Sequence, residues 1–197
     1  MKINRPISKQ PIPDNATLMF KGILFDAYQW QQQMYDGSTA TFEKLKRPDT
    51  VIVFAVLDDG QILLTRQEQP GKEPFIGAAG GRVDPGEDIL QAAQRELLEE
   101  TGYEADEWVL WHSEQPISKI EWAVYVFIAK RVRKIAELNL DAGEKIELMP
   151  VSFDELIEIG TASSLSAGFY EREITDLLFQ AKLDPIKYEE LKSLFLN

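Results

Sequence analysis

The chain has 197 residues, of which 44% are hydrophobic and 27% charged, the balance of a globular protein with one ordinary domain or one domain and a sizeable appendage. It contains no cysteine and a single histidine, which excludes disulfides, thiolate metal sites and any centre built on several imidazoles. The formal net charge of -12 argues against nucleic acid as a bulk partner, because a phosphate backbone is repelled without a compensating basic face.

Met1 to Asn15 is polar and proline-rich and lacks the apolar core of a secretory signal, and no stretch approaches the ~20 apolar residues of a membrane span. The expectation is a cytoplasmic protein with no membrane partner. Leu18 to Trp30 reads as one strand-like run and Thr39 to Leu45 as another, with the hairpin signal Asp36-Gly37 between them. Arg47-Pro48-Asp49 breaks the pattern, so 1–48 is expected to form a small N-terminal antiparallel sheet, separable from a main domain at 49–197. Val51 to Leu57 is a β-branched run that Asp59-Gly60 turns into Gln61 to Gln67, a second hairpin. Two basic runs, Lys44, Lys46 and Arg47, then Lys130, Arg131, Arg133 and Lys134, read as solvated strand ends or loops. Gln69 to Gly81, rich in glycine and proline, reads as a loop.

A helix is expected to open at Asp88, with Gln91 completing a capping box after Pro85-Gly86, and to close at Gly102. Leu90, Ala93, Leu97 and Thr101 then share a packing stripe, and Glu96, Glu99 and Glu100 fall at i, i+3 and i+4 beside it. Three carboxylates on one face repel unless a cation joins them, and hard oxygen ligands suit Mg2+ or Mn2+. A plain solvated face is the alternative reading. Glu107 to Trp111 and Trp122 to Val132 read as strands, the second apolar enough to be central; His112 beside Trp111 reads as structural. Asp141 to Lys145 is a polar loop, Ile146 to Val151 a short strand, and Ser152 to Ile159 a helix capped by Ser152 and Glu155. A last helix is expected over Ser166 to Lys182, followed by an amphipathic tail, Pro185 to Leu196. Strands and helices in this order give an α+β class with mixed pairing.

Gly81, five residues, Glu87, seven residues, Arg95-Glu96, Leu97, one residue, Glu99-Glu100, one residue, Gly102 and an apolar position together resemble the Nudix box, with Tyr103 where an aliphatic residue is usual. The resemblance implies an α/β/α sandwich around a mixed sheet, and a metal-dependent hydrolase. It implies Glu96 and Glu100 as the main metal ligands, Glu99 as a third ligand or one acting through water, and the carbonyl of Gly80 as a further ligand. Arg95 then orients the cluster by pairing with Glu87 or Glu99, although Glu87 also suits the helix macrodipole.

A water nucleophile needs a base that is not already saturated by metal. In the ADP-ribose pyrophosphatase branch a glutamate in the loop after the long strand fills that role, and Glu144 occupies the corresponding place, with Asp141 second. Phe20-Lys21-Gly22 and the Asp36-Gly37 hairpin resemble the extra strands of ADP-ribose and nucleoside diphosphate sugar pyrophosphatases, which commonly swap across a homodimer. That makes Tyr28 and Trp30 candidates to stack on a nucleobase, and Pro116 is similar to the branch's downstream proline.

Two features depart from the branch. Its arginine after Arg-Gln is absent from Arg66-Gln67-Glu68-Gln69, and its glutamate is absent from Ile76-Gly77-Ala78-Ala79-Gly80; Arg66 and Arg82 are the candidates to replace the arginine. The implied reaction is cleavage of the pyrophosphate in a nucleoside diphosphate linked to another moiety, ADP-ribose or a sugar nucleotide, releasing a nucleoside monophosphate. The alternatives are a non-catalytic nucleotide sensor and a hydrolase of dinucleoside polyphosphates or capped RNA.

Overall fold

The computed structural model describes residues 2–140, 142–162, 169 and 171–197. At its centre β4 (Thr50–Val56) lies antiparallel to β5 (Ile62–Glu68), joined by the Asp59-Gly60 turn, and parallel to β10 (Val124–Lys134). Outer strands β11 (Lys145–Val151) and β8 (Tyr103–Glu114) complete the path β11-β5-β4-β10-β8, so the run read as central is central. Strand period two sends Val51, Val53 and Ala55 to one face and Ile52, Phe54 and Val56 to the other. Both faces are apolar, so both must be covered. Ala92, Ala93 and Leu97 of α1 (Ile89–Thr101) cover the first. The second is covered by Phe153 and Leu156 of α2 (Phe153–Gly160), Leu178 of α3 (Thr175–Leu183) and Phe195 of α4 (Pro185–Leu196). The result is the α/β/α sandwich that the resemblance implied. Among the described residues no helix is long and apolar enough to cross a membrane.

The segment read as a loop, 69–81, contains two short strands. β6 (Phe75–Gly77) pairs with β5, and β7 (Ala79–Arg82) pairs with β4 through Val51↔Gly81 and Ile52↔Gly80. Ala-Gly-Gly-Arg carries little strand propensity; it pairs with β4 because Gly80 has no side chain to hold the two backbones apart. A Cβ on Gly80 would lie 2.3 Å from the Val51 carbonyl oxygen.

The run read over Leu18 to Trp30 is two strands, β1 (Thr17–Lys21) and β2 (Asp26–Gln33), reversed where the Gly22 N–H donates to the Phe25 carbonyl. β2 and β3 (Thr39–Lys46) form the expected Asp36-Gly37 hairpin, and this sheet takes its fourth strand, parallel, from β9 (Ile120–Glu121). Charge ties the same region to the main sheet. Lys44, read as solvated, is 2% exposed: its Nζ donates to Ser8 Oγ, the Gln10 carbonyl and Glu121 Oε2 at 2.6–2.8 Å, and these acceptors offset the cost of burying the ammonium. Arg5 bridges Glu121 and Asp49. In the other basic run Arg131, Arg133 and Lys134 are exposed as expected and Lys130 is half-buried, with Arg133 on Glu104 and Asp106.

Near the C-terminus a single 3-10 turn, Arg172–Ile174, precedes α3; the part of the expected last helix at 166–168 and 170 lies outside the described residues.

Candidate active site

Local signals fix the register of α1. Asp88 Oδ1 accepts from the Leu90 N–H at 2.9 Å, Gln91 completes the capping box, and Gly102 closes the helix at φ +75°. With Ala93, Leu97 and Thr101 buried, Glu96 and Glu100 are turned towards β7. Glu100 is only 6% exposed, and its Oε2 accepts from the Gly80 N–H at 2.9 Å. Glu96 lies against Gly81, where a Cβ would come within 2.3 Å of its Oε1. The glycine pair therefore does two things: Gly80 lets β7 approach β4, and Gly81 makes room for a carboxylate.

Arg95 binds the cluster together. Its Nε and Nη2 grip Glu87 at 2.9 and 3.0 Å, its Nη1 reaches Glu96 at 2.8 Å and Glu99 at 3.1 Å, and Nη2 also donates to the Arg82 carbonyl. Sequence offered Glu87 or Glu99 as its partner; the fork takes both, and Glu96 as well. The Arg95 contact holds Glu87 below the usual carboxylate range. Glu96 moves the other way, pushed up by burial against the pull of Arg95. Burial pushes Glu100 up to about 8 despite the Gly80 N–H, with the Glu96, Glu144 and Glu171 charges adding to the shift.

Arg95, Glu96, Glu99 and Glu100 line a cavity of about 680 Å³ to which β4, β5, β7, Asn139 and Leu140 also contribute. Glu144 is on its wall, 3.5 Å from Gln69 Nε2; Asp141 lies outside the described residues. Arg82 also lines the cavity, whereas Arg66 does not. Arg66 is exposed and its neighbour Gln67 is buried at the cavity, because successive strand residues face opposite ways. Trp30 is not available for stacking on a base in this chain: it is 7% exposed, packed on Phe42 at 6.1 Å, with its Nε1 donating to Gln32. Tyr28 lines a second, adjoining cavity of about 510 Å³, and Arg47 lines both.

Two lining residues carry no motif in the sequence. Arg47 belongs to a run whose sequence predicts a solvated strand end, yet it is half-buried and lines both cavities. Glu171 is 6% exposed, accepts from the Ala78 N–H at 3.2 Å and is pushed up to about 8 by burial. Its carboxylate meets the segment Ile76–Gly80 from which the branch's own glutamate is absent. That missing residue was the available hint.

The family model of the NUDIX domain matches residues 46–172, well over half of the chain. The chain belongs to the Nudix family. Over 153 residues it is 29% identical to the ADP-ribose pyrophosphatase of Bacillus subtilis, covering 72% of this chain and 78% of that one. Over 102 residues it is 28% identical to the ADP compounds hydrolase NudE of Escherichia coli, covering 50% and 54%. A crystal structure of an ADP compounds hydrolase superposes with a TM-score of 0.67 at 19% identity, covering 93% and 95% of the two chains, and so shares the fold.

As a Nudix hydrolase the chain is expected to use a divalent cation, and its residues fit one. Two carboxylates of raised proton affinity, Glu96 and Glu100, sit beside a glycine cradle, and with Glu99 and the Gly80 carbonyl they offer only hard oxygen donors. Among the described residues no three carboxylates converge at ligand distances. Arg95 Nη1 lies between Glu96 and Glu99 and supplies the positive charge there.

Proposed function

We propose that this Nudix hydrolase cleaves the pyrophosphate bond of a nucleoside diphosphate linked to another moiety, of the ADP-ribose or sugar-nucleotide kind, with Mg2+ or Mn2+. The observation that carries the reading is the meeting of Gly80-Gly81, Glu96, Glu100 and Glu144 at one cavity. The substrate class follows the relatives named for ADP-ribose and ADP compounds. Glu96 and Glu100 hold the cation, with Glu99 and the Gly80 carbonyl as further ligands. When bound, the cation neutralises charge on the departing phosphate and lowers the pKa of the attacking water. Glu144 takes the proton of that water as its oxygen attacks one phosphorus; the bridging P–O bond breaks and its electron pair leaves with the other phosphate. Arg95 positions Glu96 and Glu99 and is itself held by Glu87. Arg82, which lines the same cavity, adds a further positive charge for the phosphates, and Tyr28, which lines the second cavity, contacts the base.

The products are a nucleoside monophosphate and a phosphorylated partner. A panel of nucleoside diphosphate derivatives, assayed for monophosphate release with Mg2+ and with Mn2+, tests this. Turnover of at least one ADP- or sugar-linked substrate is expected; tight binding without turnover across the panel would replace the enzyme with a nucleotide sensor.

The working form is a cytoplasmic homodimer joined through the N-terminal sheet. Leu18, Met19 and Phe20 on β1 and Ile23 beyond it are exposed, an apolar cluster at a sheet edge that a second copy would cover. A monomer by light scattering would refute the dimer.

A further inference from the structure

We propose that Arg47 is the arginine that grips the substrate's phosphates, entering the cavity from the β3–β4 junction while the glutamates enter from α1. The inference rests on the proposed cleavage of a nucleoside diphosphate. Such a substrate carries two negative charges into a chain of net charge -12, so cations besides the metal must face it. Four cationic side chains line the larger cavity: Arg47, Lys72, Arg82 and Arg95. Arg95 is taken up by Glu87, Glu96 and Glu99. Lys72 sits over the Phe75 ring with its Nζ donating to Gln69 Oε1 at 2.7 Å, and Arg82 is exposed.

Arg47 is set apart by how it is held. Its guanidinium carbon lies 4.6 Å from the Trp122 ring centroid and 5.9 Å from that of Phe25, within the range of cation–π attraction. Trp122 is itself fixed, its Nε1 donating to Thr50 Oγ1 at 2.9 Å, and Arg47 Nη2 reaches the same hydroxyl at 3.4 Å. The backbone is anchored as firmly. The Arg47 N–H donates to the Glu121 carbonyl, Asp49 is gripped by Arg5, and the Asp49 carbonyl accepts from the Val83 N–H.

Stacking uses the faces of a guanidinium and phosphate recognition uses its edge, so one side chain can serve both. A side chain oriented in advance loses less entropy on binding. Arg47 thus supplies the cation missing after Arg-Gln in β5, from a different element. Because it lines both cavities, it also meets the substrate where phosphates give way to nucleoside.

The test compares wild type, Arg47→Gln and Arg47→Lys with ADP-ribose and Mg2+. Loss of a ground-state phosphate contact raises KM by about 10- to 100-fold in Arg47→Gln and leaves kcat within about threefold. Arg47→Lys falls between, keeping the charge without the fork. The rise of KM with salt is shallower in Arg47→Gln than in wild type, a readout that a packing defect would not move. An unchanged KM, or a loss of kcat at constant KM, overturns the assignment. If Arg47→Gln melts well below wild type, Arg47→Lys decides alone: a raised KM at wild-type melting temperature supports the role and an unchanged KM overturns it. Failure of wild type to turn over any nucleoside diphosphate derivative is a failure of the proposed function instead. Arg47 is then judged by equilibrium binding of ADP: at least tenfold weaker binding in Arg47→Gln supports it, while equal binding, or none by wild type, overturns it.

Discussion

Replacing Glu100 by glutamine should make the metal-free protein more stable while disabling it. Glu100 is buried, and burial raises its carboxyl from 4.5 to about 8. A group with a higher pKa in the fold keeps its proton there while the unfolded chain releases it. Stability is therefore whole below pH 4.5 and drains away as pH rises towards 8. Over that interval the cost is up to about 4 kcal/mol. Glutamine mimics the protonated acid and still accepts from the Gly80 N–H, so in EDTA at pH 8 Glu100→Gln should exceed wild type by about 2 to 4 kcal/mol, roughly 5 to 15 °C in melting temperature for a domain of this size. Scanning calorimetry of both proteins in EDTA from pH 4.5 to 8 reads this directly. The two curves should converge near pH 4.5, and saturating Mg2+ should raise wild type alone. A glutamine variant that melts at or below wild type at pH 8, or a gap that does not close in acid, would show that Glu100 is not destabilised by burial in the metal-free protein.

Three more perturbations separate the site from the scaffold. Glu144→Gln should lower kcat by about 10²- to 10⁴-fold with metal binding and melting temperature unchanged, as read by Mn2+ titration beside the activity assay; loss of metal binding would make Glu144 a ligand. Gly81→Ala places a methyl against the movable end of Glu96, whereas Gly80→Ala drives one into the Val51 carbonyl; the first should lose activity with a near-native melting temperature and the second should lose fold stability, and equal effects on both measures would count against the glycine account. Lys44→Met leaves Glu121 paired with Arg5 alone and the Ser8 and Gln10 acceptors without their donor, and should cost about 1 to 3 kcal/mol in urea unfolding; a change below about 0.5 kcal/mol would show that the buried charge network is dispensable.

The sequence discloses what depends on spacing along one helix. Asp88, Gln91, Gly102 and the i, i+3, i+4 glutamates needed only helical geometry, and all lie where expected. Contacts across elements were less visible. β7 escaped because two glycines carry no strand signature, although their lack of side chains is what permits pairing with β4. Arg66 is a candidate to replace the branch's arginine by its place in the chain alone, but strand period two turns Gln67 and not Arg66 to the cavity. Trp30 has the chemistry to stack on a base, but its ring is spent on Phe42. Lys44, Arg47 and Glu171 are charged residues in unremarkable surroundings along the chain. Only the fold brings Glu121, Trp122 and Ala78 to meet them.

If the Glu96–Glu100 cradle binds a divalent cation, pyrophosphate cleavage depends on that cation and on both carboxylates. The most direct test of that dependence is AMP release from ADP-ribose as a function of free Mg2+, in wild type and Glu100→Gln. Wild type should show no release in EDTA and a saturable rise with Mg2+, with Glu100→Gln lower by about three orders of magnitude. Release that persists in EDTA, or a Glu100→Gln curve superimposed on wild type, would contradict it.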